Sequence, residues 1–441
     1  MHFLERRFAV AASGSSIRTE VIAGVTTFMT MAYIIFVQPA VLSAAGMDFG
    51  AVLTATCLAT AFATALMALL ANYPIAVAPG MGHNFFFAYS VIIGMHVPWR
   101  VALGGVAIAG LIFIATAGIG LRERVISALP ESLKHAIGAG IGLLIAGIGL
   151  QWAGVIVASP ATLVTLGTLR TPPTLVAIGS LALTAILMAR RVPGAFLIGI
   201  LSSAVASVPL GLLRFEGFVS PPPSLRPTLL QLDVVGAFAP GMIAVIFVFF
   251  FLALFDSIGT LVAVGSQAGL MRKGNLPRAR QALLADAVGT VAGAMLGTST
   301  VTAYIESGAG VAAGGRTGLA SLVTALLFVA SLFCHPLVRA IAGGYRVGST
   351  TLYPVLAAPL ILVGTLMIRG VRNVEWEDPT EAVPAFLTMA VMPLAVSITE
   401  GVAFGLIAYA VLKAAAGRGR EVHGLVYLFA ALLTARYIFL R

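Results

Sequence analysis

The chain has 441 residues, of which 59% are hydrophobic and only 10% charged, with a mean hydropathy of +1.04. That composition excludes a soluble globular protein. Apolar windows of about 17–25 residues recur along the whole length and mark an all-α polytopic membrane protein, not a β-barrel with its alternating segments of about ten residues. The net charge of +10 does not imply nucleic acid, because the basic residues sort by loop and form no patch interleaved with aromatics.

Taken in order, membrane segments are expected at 20–42, 51–72, 76–94, 100–121, 132–154, 172–190, 194–212, 238–262, 281–297, 299–315, 317–340, 352–370, 380–397 and 399–416. A last apolar piece at 424–440 is either a short extra span or a surface-lying helix. The short N-terminus carries Arg6, Arg7 and Arg18 and has no cleavable-signal pattern, since the first apolar segment is long enough to span. With the N-terminus inside, eighteen basic residues fall on the cytoplasmic side, among them Arg122, Arg124, Lys134, Arg272, Lys273 and Lys413, against six outside. The tail residues Arg436 and Arg441 are left uncounted. The positive-inside rule is satisfied, which places the protein as a multi-pass protein of a cytoplasmic (inner) membrane. Cys57 and Cys334 lie in apolar segments and read as packing residues.

Segment 1 carries Thr26, Thr27 and Thr30 in TTFMTMAY, a hydroxyl stripe that either bonds back to its own helix or, with Thr27 in front, contacts a ligand. Segment 3, NYPIAVAPGMGHNFFFAYSVIIG, is no good continuous span. A β-prone piece and Pro79-Gly80 precede a helical run of only about twelve residues. His83 and Asn84 follow the break as polar candidates, and the Phe85–Phe87 run, with Phe86 as the candidate contact, either stacks on a ligand or packs in the core. The glycines of segments 4 and 5, Gly138, Gly140, Gly142, Gly147 and Gly149 among them, fit close helix packing better than phosphate binding.

A proline-rich break (PPPSLRP) near 213–237 divides the chain into seven segments before and seven after. Similar glycine patterns in segments 7 and 14 suggest a duplication, and an odd number of spans turns the second half upside down. In segment 8, IFVFFFLALFDSIGTLVAVGSQAGL, Asp256 is the one charge between Asp233 and Arg272. A carboxylate at that depth is disfavoured by a few kcal/mol and points to a wet cavity, a substrate or a proton. Ser257 accompanies it, and Thr260 lies one turn along the same face. Asp286, near the start of segment 9, reads as pairing with the basic loop before it or as a cap, and Arg316 and Glu400 read as interfacial.

Segment 10, LGTSTVTAYIESGAGVAAGG, repeats the design of segment 3: a β-prone piece, Glu306, then a short glycine-rich helix. Broken helices at corresponding places in the two halves are the best pointer to a binding site at the midplane, because backbone freed there must face protein or a cavity. Two half-helices starting near Gly82 and Ser307 would turn their N–H groups toward it. Asp256 and Glu306 can pair with the N–H and C=O edge of a flat polar solute, and sheltered carboxyls can also take up and release a proton. No nucleophile–base pair, zinc motif or P-loop accompanies them, so the chain is not expected to be an enzyme and no cofactor beyond a proton gradient is called for.

The blocks TTFMTMAYIIFVQPAVLSAAGMD (26–48), ANYPIAVAPGMGHNFFFAY (71–89), FDSIGTLVAVGSQAGL (255–270), ALLADAVGTVAGAMLGTSTVTAYIESGAGVAAGGRTGL (282–319) and EAVPAFLTMAVMPL (381–394) resemble the nucleobase–cation symporter 2 family. Within it the match is to the AzgA-like branch of adenine/guanine/hypoxanthine permeases. The resemblance implies fourteen transmembrane segments in a 7+7 inverted repeat, with short strands in segments 3 and 10. It implies a substrate-carrying core (20–121 and 238–340), a gate domain (132–212 and 352–416) that can also serve a homodimer, and an inter-repeat linker at 213–237. It also implies base binding by Asp256, Thr260 and Glu306, with Gly82, His83, Asn84, Phe85 and Phe86 as the segment 3 contacts, and elevator-like movement of the core. His83 and Phe85 stand where the close purine permeases carry leucine and alanine, and SGAG follows Glu306 in place of SAAG. The expected function is therefore proton-coupled uptake of a small-molecule nucleobase, purines first, across a lipid bilayer, with Asp256 and Glu306 coupling the proton. An anion transporter of the same fold is the alternative, and a membrane-embedded enzyme comes after it.

Overall fold

A computed structural model describes residues 2–119, 130–239, 241–271, 276–348 and 350–439. Of the cytoplasmic charges, Arg122, Arg124, Arg272 and Lys273 lie outside those residues, as does Arg441. The chain is mostly helical. Among the described residues, nine helices are long and apolar enough to cross a membrane, and they correspond to expected segments 1, 2, 4, 5, 6, 8, 11, 12 and 14. Segments 3, 7, 9, 10 and 13 are shorter or less apolar.

Local chemistry sets several boundaries. Ser16, Asp48, Thr317, Asp378 and Ser397 each accept a main-chain N–H of the helix that follows them, which answers a donor the helix leaves open. Segment 8 runs as one helix from Met242 to Gln267, past the expected end at 262, because nothing in LVAVGSQ breaks it before Gly269 takes a left-handed turn. The 213–237 break has no regular structure beyond a 3-10 turn at Gly236–Phe238. It is pinned across the ends of segments 2, 4 and 9 by Thr54 Oγ1 to Pro223 O (3.0 Å), Asp233 N to Arg100 O (2.8 Å) and Leu230 N to Met295 O (2.7 Å). Residues Gly424–Phe439 form one helix laid on segment 14, with the Phe429 ring 4.1 Å from that of Phe247.

The helices pack in two groups. In one, segment 9 lies against 2 and 4, segment 11 against 1 and 2, and segment 8 against 4 and the strand of segment 10. In the other, segment 12 lies against 5 and 6, segment 13 against 5 and 14, and segment 7 against 6. Small residues set the second group's spacing: a Cβ on Gly142 would stand 2.8 Å from Gly364 O, and one on Gly364 2.5 Å from Gly142 O. Gly140 and Gly149 are equally crowded, whereas Gly138 and Gly147 have open space beside them.

Segments 3 and 10 break as expected. Val77–Pro79 and Val301–Ala303 pair antiparallel, Ala78 opposite Thr302, deep among the helices. Their ladder supplies partners that no lipid could. A helix starts at Met81 and runs on as a π-helix to Gly94, and a six-residue helix starts at Ser307. Two hairpins, Ile156–Ser159 with Leu163–Leu166 and Tyr345–Val347 with Thr350–Leu352, were not expected from the pattern. The first of them is largely exposed.

Candidate functional site

The strand pair ends at a cavity of about 700 Å³ between the two helix groups. Asp256, Gly259 and Thr260 of segment 8 line one side, and Tyr304, Glu306 and Gly308 of segment 10 another. Thr30 and Tyr33 come from segment 1, and Gly80, Met81 and Gly82 from the break in segment 3. The facing group contributes Gly138, Phe196, Val363, Leu366 and Met367, and the exposed Arg369 stands among the lining residues.

Each acidic side chain is placed differently. Asp256 sits midway along an apolar helix, yet its side chain keeps 46% of its surface open, toward the cavity. Glu306 is the turn residue just before the segment 10 half-helix, so its side chain projects where the chain reverses. Tyr33 Oη donates to Glu306 Oε1 at 2.6 Å, and Thr30 Oγ1 reaches the Glu306 carbonyl at 3.3 Å. Tyr304 Oη donates to Pro79 O at 2.5 Å and ties the two broken segments together. Ser257 points the other way, its Oγ 3.1 Å from Thr302 Oγ1. The result is two carboxyls, several hydroxyls and several aromatic faces around a slot. Tyr33 and Phe196, with ring centroids 5.3 Å apart, Phe255 and Tyr304 supply those faces.

Of the residues singled out in the sequence, Asp256, Thr260 and Glu306 meet in this cavity. Thr27, Asn84 and Phe86 do not line it. Thr27 packs on Gly310, where an added Cβ would stand 2.0 Å from its Oγ1, and Thr30 takes the cavity position one turn on. Asn84 is wholly buried and accepts from Ser299 Oγ, which Gln38 Nε2 also contacts at 3.2 Å. That chain joins segments 1, 3 and 10 and gives Asn84 a structural place. Phe86 is buried edge-to-face on Phe249, centroids 4.8 Å apart, so the triple-Phe run is core. His83 lines an adjoining cavity, with Nδ1 4.0 Å from Asp256 Oδ2.

One other expectation needs correction. Asp286 does not cap its helix: it is wholly buried beside Ser257 and the main chain of Ala303, and it makes no ion pair among the described residues. Arg316 is half-buried and tied to Glu20, whose Oε1 accepts its main-chain N–H at 2.9 Å, while its Nη1 donates to Val311 O and Gly315 O. Tyr33, Phe196 and Phe255 were missed. The signal for Tyr33 was present, since it lies one turn after Thr30 in the same stripe.

The sequence profile described as the Permease family matches residues 18–404. The chain belongs to this family, the nucleobase–cation symporter 2 permeases. A protein of Methanocaldococcus jannaschii that carries a permease name without a substrate is 50% identical over 442 residues, spanning 100% of this chain and 99% of that protein. The guanine/hypoxanthine permease PbuG of Bacillus subtilis is 46% identical over 97% of this chain and 98% of its own length. The adenine permease AdeP of Escherichia coli is 43% identical over 99% and 96%. The fold is also that of the transmembrane domain of the cyanobacterial bicarbonate transporter BicA, with a TM-score of 0.62 at 18% identity over 87% of this chain and 97% of that one. The permease is thus a multi-pass membrane protein and not an enzyme.

Proposed function

We propose that this permease takes up nucleobases, purines first, coupled to protons. The observation that carries the reading is the pairing of Asp256 and Glu306 across one aromatic-walled slot, with Thr260 beside them. A purine presents a flat π-face and an edge of alternating donors and acceptors; carboxyls answer the donors, a threonine hydroxyl answers either, and the rings cover the faces. Relatives that span the whole chain are named adenine or guanine/hypoxanthine permeases, which supports the same cargo. An anion of the kind named for the solved bicarbonate transporter would meet two carboxylates here, which disfavours it.

In this reading, fourteen spans form a 7+7 inverted repeat in the inner membrane, with the N-terminus and the Arg369 face in the cytoplasm. The core (20–121 and 238–340) carries the base past the gate (132–212 and 352–416) as an elevator. The two packing groups support that division, and the antiparallel strand pair supports the repeat. Two copies would pair through the gate. One experiment tests the cargo and the site together. Purified protein is screened by thermal shift against adenine, guanine, hypoxanthine, uracil, bicarbonate and sulfate, and the purines that bind are followed as labelled uptake into proteoliposomes. Saturable uptake that a protonophore abolishes is expected. Stabilisation by bicarbonate or sulfate with none by a purine would replace this reading with the anion one.

A further inference from the structure

The last helix, Gly424–Phe439, holds a single charged residue, Arg436, in its last turn. Both of its faces are apolar. Val426 and Ala430 are buried against the rest of the protein, with Tyr427, Phe429 and Leu433 half-buried beside them. The opposite face shows Leu425, Leu428, Leu432 and Ile438, between 37% and 67% exposed. Thr434 on that side is satisfied within the helix, its Oγ1 donating to Ala430 O at 2.7 Å. A helix lying in the headgroup plane carries a polar, basic face, whereas one that is apolar all round is embedded.

Its partners give its direction. Tyr427, near the start, donates to Gly419 O at 3.1 Å, just past the end of segment 14 where Lys413 lies. Tyr437, near the end, donates to Glu400 and stands edge-to-face on Phe404, centroids 6.0 Å apart, in the first turns of segment 14. The helix therefore runs back antiparallel along segment 14. Its 16 residues rise about 24 Å, against about 27 Å for the 18 residues of segment 14, which is itself long and apolar enough to cross. Phe429 reaches elsewhere, to Phe247 of segment 8, with ring centroids 4.1 Å apart. Phe247, Phe251 and Phe255 follow one another at single turns, centroids 5.8 and 4.4 Å apart, in one aromatic stripe. Phe251 and Phe255 line the cavity that segment 8 shares with segment 5, and Lys134 of segment 5 lies 5.5 Å over the Phe255 ring. The stripe is thus the side of segment 8 turned to the other helix group.

We infer that the terminal helix is a fifteenth membrane crossing, outside the 7+7 repeat, and that it extends the gate into a rail for segment 8. The crossing follows from the faces and direction of the helix: the chain passes residue 439 on the membrane face opposite Lys413. The rail rests on the elevator reading above. The terminal helix is held to segment 14 through Tyr427 and Tyr437, while Phe247 travels on the helix that carries Asp256. A shift of segment 8 by one turn toward its own N-terminus, about 6 Å for four residues, takes Phe247 off Phe429 and puts Phe251 in its place. Phenylalanine has no hydrogen bond to break, so the same aromatic contact forms at each stop.

The test uses the full chain in sealed vesicles of one orientation. A cysteine appended after Arg441 and, separately, Arg420→Cys are labelled with a membrane-impermeant maleimide, over the background of Cys57 and Cys334. The two should react from opposite sides, each at least tenfold faster than from the other side. Reaction of both from the same side overturns the crossing. For the rail, Phe247→Cys with Phe429→Cys is oxidised to the disulfide. Exchange of adenine at equal pH should fall at least tenfold and return on reduction, while a Phe404→Cys with Tyr437→Cys disulfide, within the gate, should leave it within about twofold. Exchange that survives the first disulfide, or falls equally with both, overturns the rail. One measurement needs no purine: Phe251→Cys with Phe429→Cys should also form its disulfide, at least tenfold faster than Phe249→Cys with Phe429→Cys, because Phe249 faces the core interior on Phe86. Equal rates overturn the rail. Failure of the unmodified protein to exchange adenine counts against the proposed cargo alone, because these rates still decide the sliding.

Discussion

Two clusters of charge in this permease are built on opposite plans. Near the end of segment 14, Lys413 is 2% exposed, and its Nζ lies 2.9 Å from Glu381, 3.1 Å from Glu421 and 3.8 Å from Asp378. Arg418 closes the set with Asp378 at 2.6 Å and Glu421 at 2.8 Å. Every charge there is answered by another, and the cluster fastens segments 13 and 14 to the turn that follows them. Around the cavity, Asp256 and Glu306 have no Lys or Arg within ion-pair distance among the described residues. Glu306 has the Tyr33 hydroxyl, and Asp256 has His83 at 4.0 Å. Glu20 shows that a buried carboxylate can be purely structural, since the main-chain N–H groups of Arg316 and Thr317 occupy both its oxygens. What separates the cavity pair is spare hydrogen-bonding capacity facing open space. Answered charges hold the fold, and the carboxyls of the proposed site are the ones left open to space.

The contrast breaks first where it predicts most. Asp256→Ala and Glu306→Ala should each cut purine uptake about 1,000-fold, roughly 4 kcal/mol, because a buried charged contact to the cargo is removed. Their melting temperatures should stay level or rise, since no charge is left stranded. Lys413→Met should do the reverse: a loss of about 3 kcal/mol in stability, read by thermal or chemical denaturation, with purine affinity unchanged in the protein that remains folded. If Asp256→Ala unfolds the protein and Lys413→Met does not, the two clusters have been read the wrong way round.

Next in size is Tyr33→Phe, which removes the donor on Glu306 and should weaken purine binding about tenfold, roughly 1.4 kcal/mol, measured by calorimetry. Tyr33 also marks where sequence reading stops. Asp256, Glu306 and the breaks of segments 3 and 10 were legible because a charge or a Pro-Gly pair inside an apolar run violates what lipid permits. Which face of segment 1 turns inward was not legible. Thr27 and Thr30 are both polar, and tertiary packing alone puts Gly310 against the first and the cavity beside the second. Asn84 and Phe86 follow the same chain break as His83, but the helical turns there fan their side chains to different neighbours. The hairpins were missed because their strands are three or four residues long, too short for alternation to register.

The smallest effect tests one carboxylate at the rim of the answered cluster. The Thr380 hydroxyl and the Arg418 guanidinium hold the Asp378 carboxyl below the usual carboxylate range, and Arg418 and then Lys413 do the same for Glu421. A carboxyl whose folded pKa is depressed stabilises the protein fully above its unfolded pKa, near 4, and that contribution is lost as pH falls through the folded value. Asparagine caps a helix as well as aspartate does, so Asp378→Asn keeps the bond from Thr380 N and removes the charge together with the Oδ2 acceptor that Arg418 Nη1 uses. The melting temperature of Asp378→Asn should therefore sit below that of the unmodified protein by a constant margin from pH 8 to about pH 5 and converge on it below about pH 4. The margin should be smaller than that of Lys413→Met, and it should shrink in 1 M salt, because Arg418 is 42% exposed and its attraction is screened. A margin that widens on acidification would mean that Asp378 acts as the neutral acid, and that the cluster's charges are not in fact answering one another.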